Sequence, residues 1–204
     1  MSKPIDFYFD FSSPYGYLAS TRIEEIAEKH KRTVVWHPIL LGAIFKVSGQ
    51  APLTSYPLKG DYALMDFERA AREYATPFKQ PDVFPVGAVA ASRACCWLKT
   101  SSDPAIVERL TPFVHAIYKA YYVDGRNISE ADEVLAIASS VDIDKDALAA
   151  GIAEQPVKDA LREAIENAIQ LGIFGSPTTV VDGELFWGSD RLDQVDKWLS
   201  RGGW

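Results

Sequence analysis

Strand-forming sequence stands at the two ends of this chain, and the long stretch between them carries helical periodicity. Residues 5–11, IDFYFDF, alternate Ile5, Phe7, Phe9 and Phe11 with Asp6, Tyr8 and Asp10, the period of two that belongs to a strand. At Pro14 the period changes. Tyr15, Leu18, Ala19, Ile23, Ile26 and Ala27 fall on one stripe up to His30, which predicts a helix. Thr33 to His37, TVVWH, is β-branched and aromatic and is ended by Pro38. A strand, a helix and a second strand at this spacing predict a parallel pair joined by a crossover. Near the other end, Thr178–Val181 and Glu184–Trp187 are joined by Asp182-Gly183, the dipeptide that suits a tight hairpin. After Gly188, Ser189 or Asp190 starts a last helix with Leu192, Val195, Trp198 and Leu199 on one face.

The interior reads as helices. Asp103-Pro104 is a cap-plus-proline start for a segment bearing Ile106, Val107, Leu110, Val114, Ile117 and Tyr121, and Pro112 is predicted to kink or break it. Gly125 lies past its end. Ser129, with Asp132 three residues on, is predicted to cap a short helix, and Asp144 another. Glu154-Gln155-Pro156 precedes a helix bearing Leu161, Ile165, Ala168 and Ile169, closed by Gly172 in a C-cap role. There is no internal repeat and no low-complexity linker. The order β-α-β, helices, then α-β-β-α predicts an α/β thioredoxin-like domain with a mixed sheet. Residues 1–40 and 155–204 form that domain, and 41–154 an inserted all-helical subdomain.

Composition narrows the function classes. A hydrophobic fraction of 48% over 204 residues can bury a substantial core. A formal charge of −7 with no Lys/Arg run argues against a nucleic-acid groove, and no apolar run reaches transmembrane length. The strand begins almost at Met1 with no basic-then-apolar leader, so the cytoplasm is the expected location. The two cysteines, Cys95 and Cys96, are adjacent, which excludes a disulfide framework; their surroundings, AVAASRACCWL, predict buried helix positions. His30, His37 and His115 show no ligand spacing, so no metal site is expected.

Three places carry candidate chemistry. In FSSPYGYLAS, Ser13 is a good helix N-cap and Pro14 suits the first helical position. Gly16 is harder to account for: glycine in a helix costs about 1 kcal/mol relative to alanine, and the turn reads as left open for something to approach. Ser13 occupies the strand-to-helix turn where thioredoxin-like proteins carry the first cysteine of C-x-x-C, and Gly16 the place of the second. No disulfide cycle is available, but a hydroxyl at a positive helix end can donate to another molecule's thiolate. The second place is Ser176-Pro177, just before a strand, where this layout puts a cis-proline loop whose backbone pairs with a ligand. The third is GSDR, Gly188–Arg191. Its amides favour a carboxylate and Asp190 an ammonium, so an α-amino acid end suits the pair, as in the γ-glutamyl end of glutathione.

Taken together, FYFDFSSPYGYLAS, GSPT and FWGSDRL, with ILLGAIFKVSG and YYVDGRNIS between them, resemble the 2-hydroxychromene-2-carboxylate isomerase family and the similar kappa-class glutathione transferases, within the DsbA-like thioredoxin superfamily. The resemblance implies glutathione as cofactor and a small hydrophobic or aromatic carboxylate, an intermediate of aromatic catabolism, as substrate. It implies that Ser13 is catalytic and contacts the glutathione sulfur. Pro14, Tyr15, Ser176, Pro177, Ser189 and Asp190 are implied as glutathione-binding. So are Lys59, in its PLKG context, and Gln50, which stands where the family carries an asparagine. A homodimer is implied as well. Isomerisation would return glutathione unchanged; a transferase would release the conjugate. A binding module that has lost its thiols, and a disulfide oxidoreductase, are the other readings; the second needs a cysteine at position 13.

Overall fold

The computed structural model describes residues 3–204. Strand β1 (Ile5–Phe9) leads through helix α1 (Pro14–Lys29) to β2 (Val34–Pro38). The two strands pair in parallel, Ile5 opposite Val34 and Phe9 opposite Pro38. The chain then runs through α2 (Leu41–Ser48), a short 3-10 turn at Leu53–Ser55, α3 (Lys59–Glu73), α4 (Val89–Lys99), α5 (Pro104–Val107), α6 (Leu110–Tyr122), α7 (Ala131–Ser139), α8 (Lys145–Ala153) and α9 (Gln155–Gln170). It returns to the sheet as β3 (Thr178–Val181) and β4 (Glu184–Trp187), and ends in α10 (Leu192–Arg201). β3 is antiparallel to β1 and β4 to β3, which gives the order β2-β1-β3-β4. This is the expected thioredoxin-like arrangement. Asp182 and Gly183 have φ of 53° and 93°, the positive values that a two-residue hairpin turn of this hand requires.

Two details of the interior differ from the sequence reading. The helix begun at Asp103 is broken, but between Val107 and Leu110; Pro112 stands in the first turn of α6, where its missing N–H is not called on by the helix. Ser129 caps nothing. Its hydroxyl donates to Asn127 Oδ1 at 2.7 Å, and Glu130 is the boundary residue of α7. The Asn127 side chain closes that loop on itself and outcompetes the cap. Asp144 does cap α8, accepting from the N–H groups of Asp146 and Ala147.

The core is continuous from the sheet into the helical interior. Phe7, Phe9 and Phe11 of the first strand and its extension pack against Trp36 and the α6 residues Phe113, Ile117 and Tyr118, all buried. Phe11 meets Tyr118 with ring centroids 5.0 Å apart. Each such side chain contributes about 1.5–3 kcal/mol when fully buried, so α6 is held where the Tyr118 hydroxyl reaches the Asp10 carbonyl just past β1. On the other side of the sheet, Tyr8, Ile39 and the α2 residue Ile44 cluster with Val157, Leu161 and Ile165 of α9. Cys95 and Cys96 are buried in α4. Burial pushes both thiols up, that of Cys96 to about 11, away from thiolate chemistry. Each histidine has its own carboxylate partner: His30 Asp196, His37 Asp6 and His115 Glu24. Among the described residues no helix is long and apolar enough to cross a membrane.

Candidate active site

The site begins where β1 turns into α1. Ser13 is the N-cap of α1, with φ −92° and ψ 113°, and Pro14 follows it in the first turn. Its hydroxyl does two things. The oxygen accepts from the Gly16 N–H at 3.0 Å, and the hydrogen is donated to the Ser176 carbonyl at 2.8 Å. The second bond joins elements 163 residues apart in sequence. The Ser176-Pro177 peptide is cis. The loop carrying it is tied down from three sides. Thr178 Oγ1 donates to the Gly175 carbonyl, the Asp10 N–H donates to Ser176 Oγ at 2.9 Å, and the Gly188 N–H donates to the Pro177 carbonyl.

Gly16 is not an opening. A Cβ there would lie 2.8 Å from the Tyr118 hydroxyl, 3.0 Å from Ser176 Oγ and 3.2 Å from Ser13 Cβ. The protein's own side chains fill the place that the sequence reading leaves for a ligand. The glycine lets α6 and the cis-proline loop close onto the first turn of α1.

Gly188, with φ 110°, turns the chain from β4 into a 3-10 turn, Ser189–Arg191, ahead of α10. Neither Ser189 nor Asp190 caps with its side chain. Ser189 is buried, whereas Asp190 is exposed and accepts from Arg191 Nη1 at 2.8 Å. The carboxylate is therefore available at the surface of the turn.

These turns open onto one cleft of about 1370 Å³. Ser13, Pro14, Tyr15, Ser176, Ser189 and Asp190 line it, and Gln50 and Lys59 do as well. The structure thus brings together every site residue expected from sequence except Pro177. That proline is buried beneath the loop and does not line the cleft; its contribution is the carbonyl that holds Gly188. Lys59 begins α3 with its ammonium 5.6 Å from the Tyr56 ring centroid. The Tyr15 hydroxyl donates to Asp66 Oδ2 at 2.5 Å, and Arg69 donates to the other oxygen of that carboxylate at 2.7 Å. Burial first, and then the Asp66 carboxylate, push the Tyr15 phenol far above its ordinary value, so it stays protonated as a donor.

Another part of the cleft wall was not read from sequence. It is formed by Phe45 and Lys46 of α2, Phe67 of α3, and Phe84 and Val86 ahead of α4. Lys46 has no ion-pair partner among the described residues. Trp187 stands at the rim, half exposed, tilted against Phe174 with centroids 4.8 Å apart. A Cβ on Gly175 would meet its indole nitrogen at 2.3 Å. Asp10 alternates with the apolar residues of the first strand but is not a solvated position. It is 4% exposed and lies under the cleft. Its carboxylate accepts from the N–H groups of Ser12 at 2.8 Å and Leu41 at 2.6 Å. Burial raises its pKa, and the hydrogen bonds from Leu41 and Ser12 oppose the rise. An aspartate two residues before an N–H it can bind is a local turn signal, and it was there to be found in DFS.

The model of the DSBA-like thioredoxin domain matches residues 4–200. The chain belongs to that family. Among curated relatives, the 2-hydroxychromene-2-carboxylate isomerase of Sphingobium xenophagum is 29% identical over 201 residues, covering 98% of this chain and 99% of that one. Human glutathione S-transferase kappa 1 is 26% identical over 212 residues, covering 98% and 94%. A solved 2-hydroxychromene-2-carboxylate isomerase superimposes with a TM-score of 0.85 at 24% identity, covering 97% of this chain and 94% of that one. The cytosolic disulfide reductase DsbM of Pseudomonas aeruginosa with GSH does so at 0.65 and 18% identity, covering 97% and 96%. The isomerase and kappa-class resemblance expected from the motifs thus extends over nearly the whole chain. This DSBA-like member carries Ser13 and Gly16 at the α1 turn, and its two cysteines are in α4, buried.

Proposed function

We propose that this protein is a glutathione-dependent isomerase acting on 2-hydroxychromene-2-carboxylate or a similar aromatic-degradation intermediate. The observation that carries the reading is the Ser13 hydroxyl: it sits at the positive end of α1, in a cleft, 2.8 Å from the Ser176 carbonyl. The residues fit glutathione. Ser176 offers a peptide backbone beside a serine donor, and Asp190 an exposed carboxylate at the far turn. Bound glutathione would supply a thiolate that adds reversibly to an electrophilic carbon. Ser13 has one hydrogen, and it is committed to Ser176. A ligand N–H that takes the Ser176 carbonyl releases that hydrogen for a thiolate, where a charge-assisted bond outweighs the neutral one given up. The α1 terminus stabilises the same charge. Asp190 and Ser189 would hold the γ-glutamyl end. Pro14, Tyr15, Gln50 and Lys59 complete the lining, with Lys59 a cation for the other carboxylate.

Phe45, Phe67, Phe84 and Val86 make an apolar surface on which a flat aromatic electrophile packs, and Lys46 supplies a charge for its carboxylate. The insertion, residues 41–154, would thus be the part that selects the substrate. A homodimer and a cytoplasmic location go with the family reading. Isothermal calorimetry with glutathione, followed by turnover of 2-hydroxychromene-2-carboxylate with catalytic glutathione, tests the proposal. Isomerised product with no thiol consumed supports it. A stable thioether conjugate with no isomerised product makes the protein a kappa-class-like transferase, and no binding at millimolar glutathione removes the whole assignment.

A further inference from the structure

Helix α2 lacks a cap of its own. Its boundary residue is Leu40, whose side chain makes no capping bond, although the first N–H groups of any helix need acceptors. The missing acceptor comes from another element: Asp10 Oδ2 takes the Leu41 N–H at 2.6 Å from 31 residues away. The other carboxylate oxygen holds the Ser12 N–H at 2.8 Å, inside the turn that presents Ser13. The main chain of Asp10 is occupied separately. Its N–H goes to Ser176 Oγ, and its carbonyl accepts from the Tyr118 hydroxyl at 3.1 Å and from the Ser13 N–H at 3.0 Å. One residue therefore links the serine turn, the cis-proline loop and α2.

We infer that Asp10 is a positioning residue: its buried carboxylate caps α2 from outside and sets the distance between the Ser13 turn and the wall that carries Phe45 and Lys46. The division of labour between side chain and main chain makes this separable. A side-chain replacement leaves the main-chain bonds to Ser176, Tyr118 and Ser13 in place, so the Ser13 turn keeps these ties although it loses the one at Ser12, while α2 loses its acceptor. Asp10→Ala removes both acceptors at once, whereas the amide oxygen of Asp10→Asn would still serve one of the two N–H groups. The consequence for turnover rests on the isomerase reading above; the capping itself does not.

Hydrogen exchange of the purified protein tests the cap directly. In Asp10→Ala the Leu41 amide and its neighbours in α2 are expected to exchange about ten- to a hundredfold faster, the range for losing a bond to a charged group, with α1 and α9 amides little changed. Unchanged α2 exchange overturns the inference, whether or not glutathione binds. Kinetics then test the consequence. With glutathione affinity within about threefold of wild type, KM for a carboxylate-bearing electrophile is expected to rise about tenfold or more, and that for a neutral ester of the same electrophile less. Equal losses for the two electrophiles, or a loss that follows glutathione affinity, would show that Asp10 does not position Lys46. Absence of glutathione binding in the wild type defeats the functional reading and leaves the exchange result to decide the cap.

Discussion

Replacing Ser13 by alanine removes a hydroxyl that makes two buried hydrogen bonds at once. Loss of an N-cap costs about 0.5–2 kcal/mol, and leaving the Ser176 carbonyl without its donor about 1–3 kcal/mol. The two losses share one oxygen and are not additive, so a fall of about 2–3 kcal/mol in unfolding free energy is expected, read by urea denaturation. The effect on the bound thiol is separate. A hydrogen bond to a charged group is worth about 1.5–3 kcal/mol and the neutral bond surrendered at Ser176 about 0.5–1.5 kcal/mol. The net anion stabilisation is about 1–1.5 kcal/mol, or about one pKa unit. The α1 terminus still supplies about 0.3–1 kcal/mol in the variant. The thiolate absorbance of bound glutathione, titrated in wild type and Ser13→Ala, should therefore show a midpoint about one unit higher in the variant. Turnover near neutral pH should fall about tenfold. Superimposable titrations with unchanged turnover would return Ser13 to the role of cap and latch between α1 and the cis-proline loop.

Gly16→Ala gains helix propensity but places a methyl against the Tyr118 hydroxyl and Ser176 Oγ; the expected outcome is a net loss of about 1–3 kcal/mol, and a more stable variant in denaturant melts would show that this packing is loose. Asp190→Ala should weaken glutathione binding in calorimetry by about 1–2 kcal/mol, the lower part of the range for a charged hydrogen bond because Asp190 is exposed and shared with Arg191. Unaltered affinity would place the γ-glutamyl end elsewhere. The hairpin turn carries a pH signature. Arg32 donates twice to Asp182, at 2.9 and 2.8 Å, and this bond holds the Asp182 carboxyl below its ordinary 3.8. A depressed carboxylate adds stability that is present above the ordinary value and lost as pH falls through the depressed one. Urea midpoints followed into acid should fall less steeply in Asp182→Asn than in wild type; identical slopes would mean that solvent screens the pair.

Much was legible locally. The alternation of Ile5–Phe11, the stripe behind Pro14, the Asp182-Gly183 turn and the Asp144 cap are decided by neighbours within a few residues, and the structure has each of them. The order of these elements was enough to predict the thioredoxin-like sheet, and the site residues of the three motifs other than Pro177 line one cleft. What failed was local chemistry with a nearby competitor: Ser129 lost its cap to the Asn127 side chain, and Pro112 stood comfortably in a first turn while the break fell earlier.

Other features are set by contacts that have no trace in sequence spacing. Ser13 reads as an N-cap from its neighbours alone, and it is one; its hydrogen goes to a carbonyl 163 residues away. Gly16 looks open in the sequence and is closed in space by Tyr118 and Ser176. Asp10 alternates like an outward strand residue, yet α2 packs over it and takes its carboxylate as a cap. Lys46 reaches the cleft on α2, which packs on α9, and Phe84 on a segment held by the Tyr121 hydroxyl of α6, which donates to the Val83 carbonyl. Periodicity and capping report which backbone conformation a segment prefers. Which side chains converge is decided by the burial of the aromatic core, because only that burial determines how the helices sit on the sheet.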